Sequence, residues 1–266
     1  MRWVQLGFRT FARQPLAFSA LFVAFVVAMS VLSAVPLVGP LVLIALLPLG
    51  SLWFMVMTEA TLGGRFAGFK TLMAPLRAGR PQVRALLNLG LIYAGCSLLI
   101  MALSDLIDGG LLDELLQRMS DRSSSVESIT DLLGDGRLQA GLVARVGLAA
   151  LLSVPFWHAP ALVHWDRQGC AHSLFSSTLA VWRNRGAFAL FGAVWAALVL
   201  GAALAANLVF GLLGMPNMVA MVALPISLLL STVFYVSLYF SFADCFEASP
   251  EDPSPPFSTD APADLA

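Results

Sequence analysis

The chain has 266 residues, of which 59% are hydrophobic and only 12% charged, and its formal net charge is −1. A soluble domain carries about 25% charged residues, so the composition argues against a soluble globular protein. Three cysteines in a chain of this length argue against a disulfide scaffold, and the lack of a basic excess argues against nucleic-acid binding. A polytopic helical membrane protein remains.

The predicted spans come from four segments that contain no Asp, Glu, Lys or Arg: 14–58, 85–104, 146–165 and 186–243. A spanning helix needs about 20 apolar residues, so the two long segments hold two spans each, divided by the Pro- and Gly-containing turns at 36–40 and 214–217. A cleavable signal peptide is the alternative for the first span, but a second span follows at once. The predicted fold is an all-α polytopic transmembrane bundle with six spans in three hairpins, at 16–35, 41–58, 85–104, 142–164, 187–213 and 218–242.

A short basic amphipathic helix is predicted before each hairpin, at 1–14, 65–76 and 171–182. Such a helix lies in the membrane interface, with its apolar face among acyl chains and its basic residues near anionic headgroups. A loop helix packed on the bundle is the alternative. The predicted headgroup-binding residues are Arg2, Arg9, Arg13, Arg65, Lys70, Arg183 and Arg185.

The first and third hairpin units also share sequence, which indicates an internal repeat. Residues 13–18 align with 183–188, and Leu47-Pro48-Leu49 aligns with Leu224-Pro225-Ile226. The alternative is that spans rich in Ala, Leu and Phe resemble one another through composition alone.

The distribution of basic residues predicts the orientation. Most of the 15 Lys and Arg residues lie in 1–13, 65–84 and 167–185, whereas the loop 105–141 is acidic. For a protein of a bacterial inner membrane, the positive-inside rule then predicts that both termini lie in the cytoplasm and that this loop lies in the periplasm.

Within the loop 105–141, residues 111–116 and 126–133 have the pattern of short amphipathic helices. Residues 1–248 form one transmembrane domain, and 249–266 form an acidic, Pro-rich tail that is expected to be disordered.

Few polar residues have the pattern of a chemical site. His158, His164, His172 and Cys170 are weak candidates for a metal site, but no two of these His residues are four apart on a helix, so neither a metal nor another cofactor is predicted. Histidines at the membrane interface are the preferred interpretation. The sequence has no nucleotide-binding loop, nucleophile elbow or metalloprotease motif, so the protein is expected not to be an enzyme.

Arg145 and Asn207 lie in the fourth and fifth spans and are the candidates for a transport path, because polar groups inside a membrane are often functional. Each also has a structural interpretation. Arg145 is near the outer end of its span and can extend to water, and Asn207 can hydrogen-bond between helices.

Several short motifs resemble one known family: Ala-Pro-Ala-Leu-Val at 159–163, Ser-Leu-Phe-Ser at 173–176, Arg-Asn-Arg-Gly-Ala-Phe at 183–188 and the closing segment 239–246. The chain resembles a family of uncharacterised six-helix inner-membrane proteins of proteobacteria, in which a basic residue often stands at the position of Ala243. The resemblance implies the fold and the location. It implies no known activity and no catalytic residue.

Together these observations predict a non-enzymatic envelope component that binds membrane lipids or a membrane-protein partner, with a homo-oligomer also open. The alternative is a small-molecule or lipid transporter. A continuous polar cavity at the membrane midplane, lined by residues such as Asn207 and Arg145, would favour the transporter. A core filled with apolar side chains would favour the first function.

Overall fold

The computed structural model describes residues 1–36, 38–66, 68–121, 126–215 and 218–246. Parts of the predicted turns (Leu37, Pro216 and Asn217) and the predicted tail 249–266 lie outside the described residues. The regular elements of the described residues are helices: α1 (Arg2–Phe11), α2 (Pro15–Ser33), α3 (Val38–Leu62), α4 (Phe69–Leu72), α5 (Ala74–Arg77), α6 (Arg80–Asp108), α7 (Leu111–Ser120), α8 (Val126–Leu133), α9 (Gly136–Phe156), α10 (Ala159–His164), α11 (Cys170–Arg183), α12 (Arg185–Leu212) and α13 (Met218–Phe246).

Six helical segments are long and apolar enough to cross a membrane: α2, α3, α6, α9 together with α10, α12 and α13. The predicted all-α bundle with six spans is therefore confirmed. Consecutive spans pack against each other as three hairpins, α2 with α3, α6 with α9, and α12 with α13. α3 lies at the centre, because it also packs against α6, α10 and α13.

The fourth span is divided where the sequence predicts one segment. α9 ends at Phe156 and α10 begins at Ala159. Pro160 has no N–H group with which to bond to the Phe156 carbonyl, so the helix cannot continue through this point without losing a hydrogen bond. The interruption places Trp157 and His158 between the two helices, with His158 inside the bundle.

The second amphipathic segment is also divided. The sequence predicts one helix over 65–76, whereas the structure contains the two short helices α4 and α5. Pro75 lies in the first turn of α5. Its missing N–H and its ring prevent α4 from continuing, because both would conflict with the Thr71 carbonyl one turn earlier.

Each amphipathic segment packs against the second span of another hairpin in a repeating order. α4 packs on α3, α11 packs on α9 and α10, and α1 packs on α13. The order is cyclic, because the first segment packs on the last span. The three hairpin units therefore share one packing arrangement.

The two ends of the bundle differ in charge and in packing. We call the end that holds α1, α4, α5 and α11 the basic end, and the end that holds α7 and α8 the acidic end. Most buried side chains of α3 and α13 lie in the halves of these helices nearer the basic end, from Ser51 to Thr61 and from Thr232 to Phe242. The halves nearer the acidic end are more exposed, so the bundle is tightly packed at one end and loosely packed at the other.

Candidate functional site

A cleft of about 730 Å³ separates α12 from α13 in the half of the bundle nearer the acidic end. Its walls are mainly small or aliphatic side chains. Ala196, Ala203 and Ala206 recur at helical spacing on α12, and such a stripe leaves space beside the helix unless a neighbour approaches closely. The full lining consists of Trp195, Ala196, Val199, Ala202, Ala203, Ala206, Asn207, Val219, Ala223, Ile226, Ser227, Leu230, Ser231, Phe234 and Tyr235.

Aromatic side chains form the inner end of the cleft. The rings of Trp195 and Phe234 meet edge to face with centroids 5.5 Å apart, and Phe234 meets Tyr235 at 5.6 Å. These bulky rings lie near the middle of their helices. From Trp195 to Asn207 a helix rises about 18 Å, close to half of a hydrocarbon core that is about 30 Å thick. The cleft therefore has the depth of one bilayer leaflet.

The polar side chains of the cleft bond mainly to their own helices. Asn207 Nδ2 donates to the Ala203 carbonyl at 2.8 Å, and Ser227 Oγ donates to the Leu224 carbonyl at 2.8 Å. The indole nitrogen of Trp195 is buried without a hydrogen-bond partner among the described residues. The cleft is therefore an apolar surface with few available polar groups.

A smaller cavity of about 170 Å³ lies between α3, α6, α9 and α13, and Phe234 and Tyr235 line both this cavity and the cleft. Beyond it, towards the basic end, the ring of Trp157 lies 5.2 Å from that of Phe188 and 6.3 Å from that of Phe191. These aromatic contacts fill the space between α9 and α12. Packed aromatic rings therefore lie between the cleft and the basic end of the bundle.

The structure separates the two residues predicted to line a transport path. Asn207 lines the cleft between α12 and α13. Arg145 does not line it and instead pairs with Asp105 of α6, with 2.5 Å between Nη2 and Oδ1. The contact between Arg145 and Asp105 lies at the acidic end of the bundle, as expected for an arginine that extends towards water at the end of its span.

The candidate metal ligands are not brought together. Among the described residues there is no group of three or more His, Cys, Asp or Glu side chains that could hold a metal ion. His164 is half-buried against Trp165, with ring centroids 5.4 Å apart, and His172 is exposed. Cys170 is half-buried, and its burial raises the pKa of its thiol above the ordinary value.

His158 differs from the expectation of interfacial histidines, because it is fully buried. Its Nε2 lies 3.0 Å from Ser241 Oγ, and its backbone N–H donates to Ser177 Oγ at 3.1 Å. The ring also lies against Phe188 with centroids 5.6 Å apart. The sequence signal was Pro160, which interrupts the helix and turns this residue inward, whereas Pro155 lies inside α9. The ring does not line the cleft or the smaller cavity, so its contacts are those of a structural link between α10, α11 and α13.

The predicted headgroup-binding residues are all exposed at the basic end: Arg2, Arg9, Arg13, Arg65, Lys70, Arg183 and Arg185. The structure shows no ion pair for them among the described residues. At the acidic end, in contrast, Arg118 pairs with Glu114 and Arg145 with Asp105. The uncompensated positive charge is thus concentrated at one end of the bundle.

Comparison with known proteins shows a relative along most of the chain. A curated protein from Burkholderia thailandensis, named a probable inner membrane protein, is 31% identical over 245 residues, which cover 92% of this chain and 89% of the relative. No family model and no solved structure matches the chain. The relative's name supports a location in the inner membrane, and it says nothing of a substrate.

Proposed function

Because the chain belongs to the family of the probable inner membrane protein of Burkholderia thailandensis and has six helices able to span the membrane, we propose that this multi-pass inner-membrane protein binds lipid, as a non-enzymatic component of the envelope. The observation that carries the proposal is the apolar cleft between α12 and α13. Its volume of about 730 Å³ is within the range of small-molecule sites, roughly 300–1,000 Å³.

An acyl chain fits the shape and chemistry of this cleft. The walls are apolar, the depth matches one leaflet, and the floor is the aromatic cluster of Trp195, Phe234 and Tyr235. A chain held between two helices contacts protein on several sides, and many weak dispersion contacts then add up. A membrane-protein partner, or a second copy of the chain, is the competing occupant.

The proposed orientation puts the basic end in the cytoplasm and the acidic end in the periplasm. The cleft then opens towards the periplasmic leaflet. The exposed basic residues of the amphipathic segments lie at the cytoplasmic surface, where each contributes about 1 kcal/mol of attraction to anionic lipids. The residues proposed for this contact are Arg2, Arg9, Arg13, Arg65, Lys70, Arg183 and Arg185.

The transporter is less well supported than lipid binding. Alternating access needs a path that can open to both sides of the membrane. Here the contacts of Trp157 with Phe188 and Phe191 fill the route to the basic end. Asn207 lines the cleft, but its amide already donates to its own helix.

The fluorescence of Trp195 tests the proposal directly. The chain has six Trp residues, and replacing the other five with Phe leaves Trp195 as the reporter at the floor of the cleft. In vesicles of phosphatidylcholine brominated near the ends of its acyl chains, we expect strong quenching, because a chain in the cleft brings its end to this indole. Ala202→Phe fills the cleft and should reduce the quenching.

Ala197→Phe is the matched control, because Ala197 is an exposed alanine on the same helix that does not line the cleft. This variant should be quenched like the parent. Equal quenching of both variants would overturn the proposal, because bulk lipid at the protein surface would then be the quencher. Weak quenching in all three would also overturn it, since a partner or a closed cleft would then exclude lipid.

A further inference from the structure

A groove runs along α6 from its first residue into the bilayer, on the side where α11 packs. It consists of three adjoining depressions of about 490, 380 and 350 Å³. The first two share Arg80 and Arg84, and the last two share Asn88 and Cys170. From Arg80 to Leu91 the helix rises about 16 Å, so the groove has the depth of one leaflet.

Three guanidinium groups lie at the mouth of the groove. Arg77, Arg80 and Arg84 all line it and are exposed, and no ion pair is found for them among the described residues. Arg80 and Arg84 are one helical turn apart, a spacing at which like charges destabilise a helix. They also lie at the positive end of the helix dipole, and the first turn of α6 has no acidic residue.

This arrangement is unfavourable unless an anion compensates it. The α6 N-cap is Gly79, which has no side chain with which to bond to the free N–H groups of the first turn. A phosphate at this position would pair with two guanidinium groups, in the bidentate geometry that Arg favours. The charge distribution therefore points to an anionic group at the mouth.

The character of the groove changes with depth. Below the arginines the lining passes through Asn88 and then becomes aliphatic at Leu91, Ile92 and Leu174. Charged, amide and aliphatic groups follow one another in the order in which a phospholipid presents its phosphate, its ester groups and its acyl chain. A free anion would need the arginines and would have no use for the aliphatic wall.

We propose that this groove binds an anionic phospholipid of the leaflet at the basic end, with its phosphate between Arg80 and Arg84 and an acyl chain along Leu91, Ile92 and Leu174. The site is separate from the cleft between α12 and α13, so it stands whether or not that cleft binds lipid. Arg80 and Arg84 belong to α6 and are different from the residues proposed for headgroup contact in the amphipathic segments.

Cys170 provides a reporter, because it lines the middle of the groove. With Cys96 and Cys245 replaced by Ala, it is the single thiol of the chain. The experiment measures its alkylation by the uncharged reagent N-ethylmaleimide in nanodiscs of phosphatidylcholine, alone or mixed with an equal part of phosphatidylglycerol. We expect phosphatidylglycerol to slow the reaction about fivefold, as it would for a site occupied several times above its dissociation constant.

Matched variants separate specific binding from a general effect of surface charge. Arg84→Gln should remove the protection and Arg84→Lys should keep part of it. Arg167→Gln removes an exposed charge of the same region that does not line the groove, and it should keep the protection. Protection that is the same in Arg84→Gln as in the parent would overturn the proposal, and so would an absence of protection in the parent. Equal slowing by inorganic phosphate in pure phosphatidylcholine would also overturn it, in favour of a free anion.

Discussion

Gly7 of α1 lies so close to Ser237 of α13 that a Cβ atom added to the glycine would stand 2.9 Å from Ser237 Cβ and 3.3 Å from the Val233 carbonyl oxygen. Near its start, α1 is also held by Trp3, whose indole nitrogen donates to Asp244 at 2.9 Å. α1 is therefore packed against the bundle, which was the alternative to a helix that lies only in the membrane interface. Its arginines stay exposed. Its most buried face is Val4, Gly7 and Thr10.

This close approach predicts that Gly7→Ala destabilises the protein. The added Cβ forces α1 away from α13, and overpacking of this kind costs about 1–3 kcal/mol, which exceeds the gain of about 1 kcal/mol in helix propensity. Thermal unfolding in detergent measures the effect. Ser237→Gly in the same chain should recover part of the loss, because it removes the side-chain atom that the added methyl group would meet.

Gly192→Ala is the control for the Gly7→Ala substitution, because nothing lies within 4 Å of a Cβ atom added at that position of α12. It should leave the unfolding temperature unchanged or raise it. If the effects of Gly7→Ala and Ser237→Gly on stability were simply additive, the two residues would not be coupled, and this would contradict their close contact.

The ion pair between Arg145 and Asp105 predicts a modest coupling between α6 and α9. Because the two side chains are 26% and 47% exposed, solvent screens the pair, and its coupling should be about 0.5–1 kcal/mol. Asp105→Asn and Arg145→Gln, alone and combined, measure this value by chemical unfolding. The exchanged pair, Asp105→Arg with Arg145→Asp, should be closer to the parent than either charge reversal alone. A coupling of zero at low salt would show that the contact contributes nothing.

The burial of Cys170 predicts that alkylation of its thiol depends on pH over a higher range than alkylation of an exposed thiol. Burial raises its pKa, so a smaller fraction is thiolate at any pH below that value, and the thiolate is the reactive form. The rate should therefore keep rising with pH beyond the ordinary thiol range, which is near 8.5. The control places the thiol at an exposed position of the same helix, as His172→Cys with Cys170→Ala. The same midpoint for both thiols would contradict the burial of Cys170.

The charge asymmetry predicts which compartment each end faces. In a Gram-negative host, a membrane-impermeant maleimide should label Ser120→Cys of α7 in intact cells, in a chain that lacks the native cysteines. Cys170 as the single thiol should be labelled only after the inner membrane is opened. The reverse pattern would contradict the orientation derived from the positive-inside rule, and it would move the cleft to the cytoplasmic leaflet.

The sequence was sufficient for the spans, because charge and apolar length dominate membrane insertion and both can be read directly. It was insufficient where a single residue changes the backbone. Pro160 divides the fourth span and Pro75 divides the second amphipathic segment, whereas Pro48 and Pro225 lie inside continuous helices. Surrounding helices decide which proline is tolerated, so sequence position alone does not distinguish them.

The sites were harder to predict than the spans. The alanines of α12 look like an ordinary packing stripe, and only the placement of Trp195 against Phe234 shows that the helices stay apart there. Arg80 and Arg84 stood out in the sequence only as evidence of orientation. Their position at the mouth of a groove depends on α11 packing beside α6.

The most direct measurement is an experimental structure of the protein in a lipid nanodisc, inspected between α12 and α13. We expect elongated density along Ala203 and Val199 that ends at the aromatic floor formed by Trp195, Phe234 and Tyr235, with the basic end closed by Trp157. A continuous polar passage through the bundle would contradict it and support a transporter. An α12 packed tightly against α13, with no space between the two helices, would equally contradict lipid binding at this cleft.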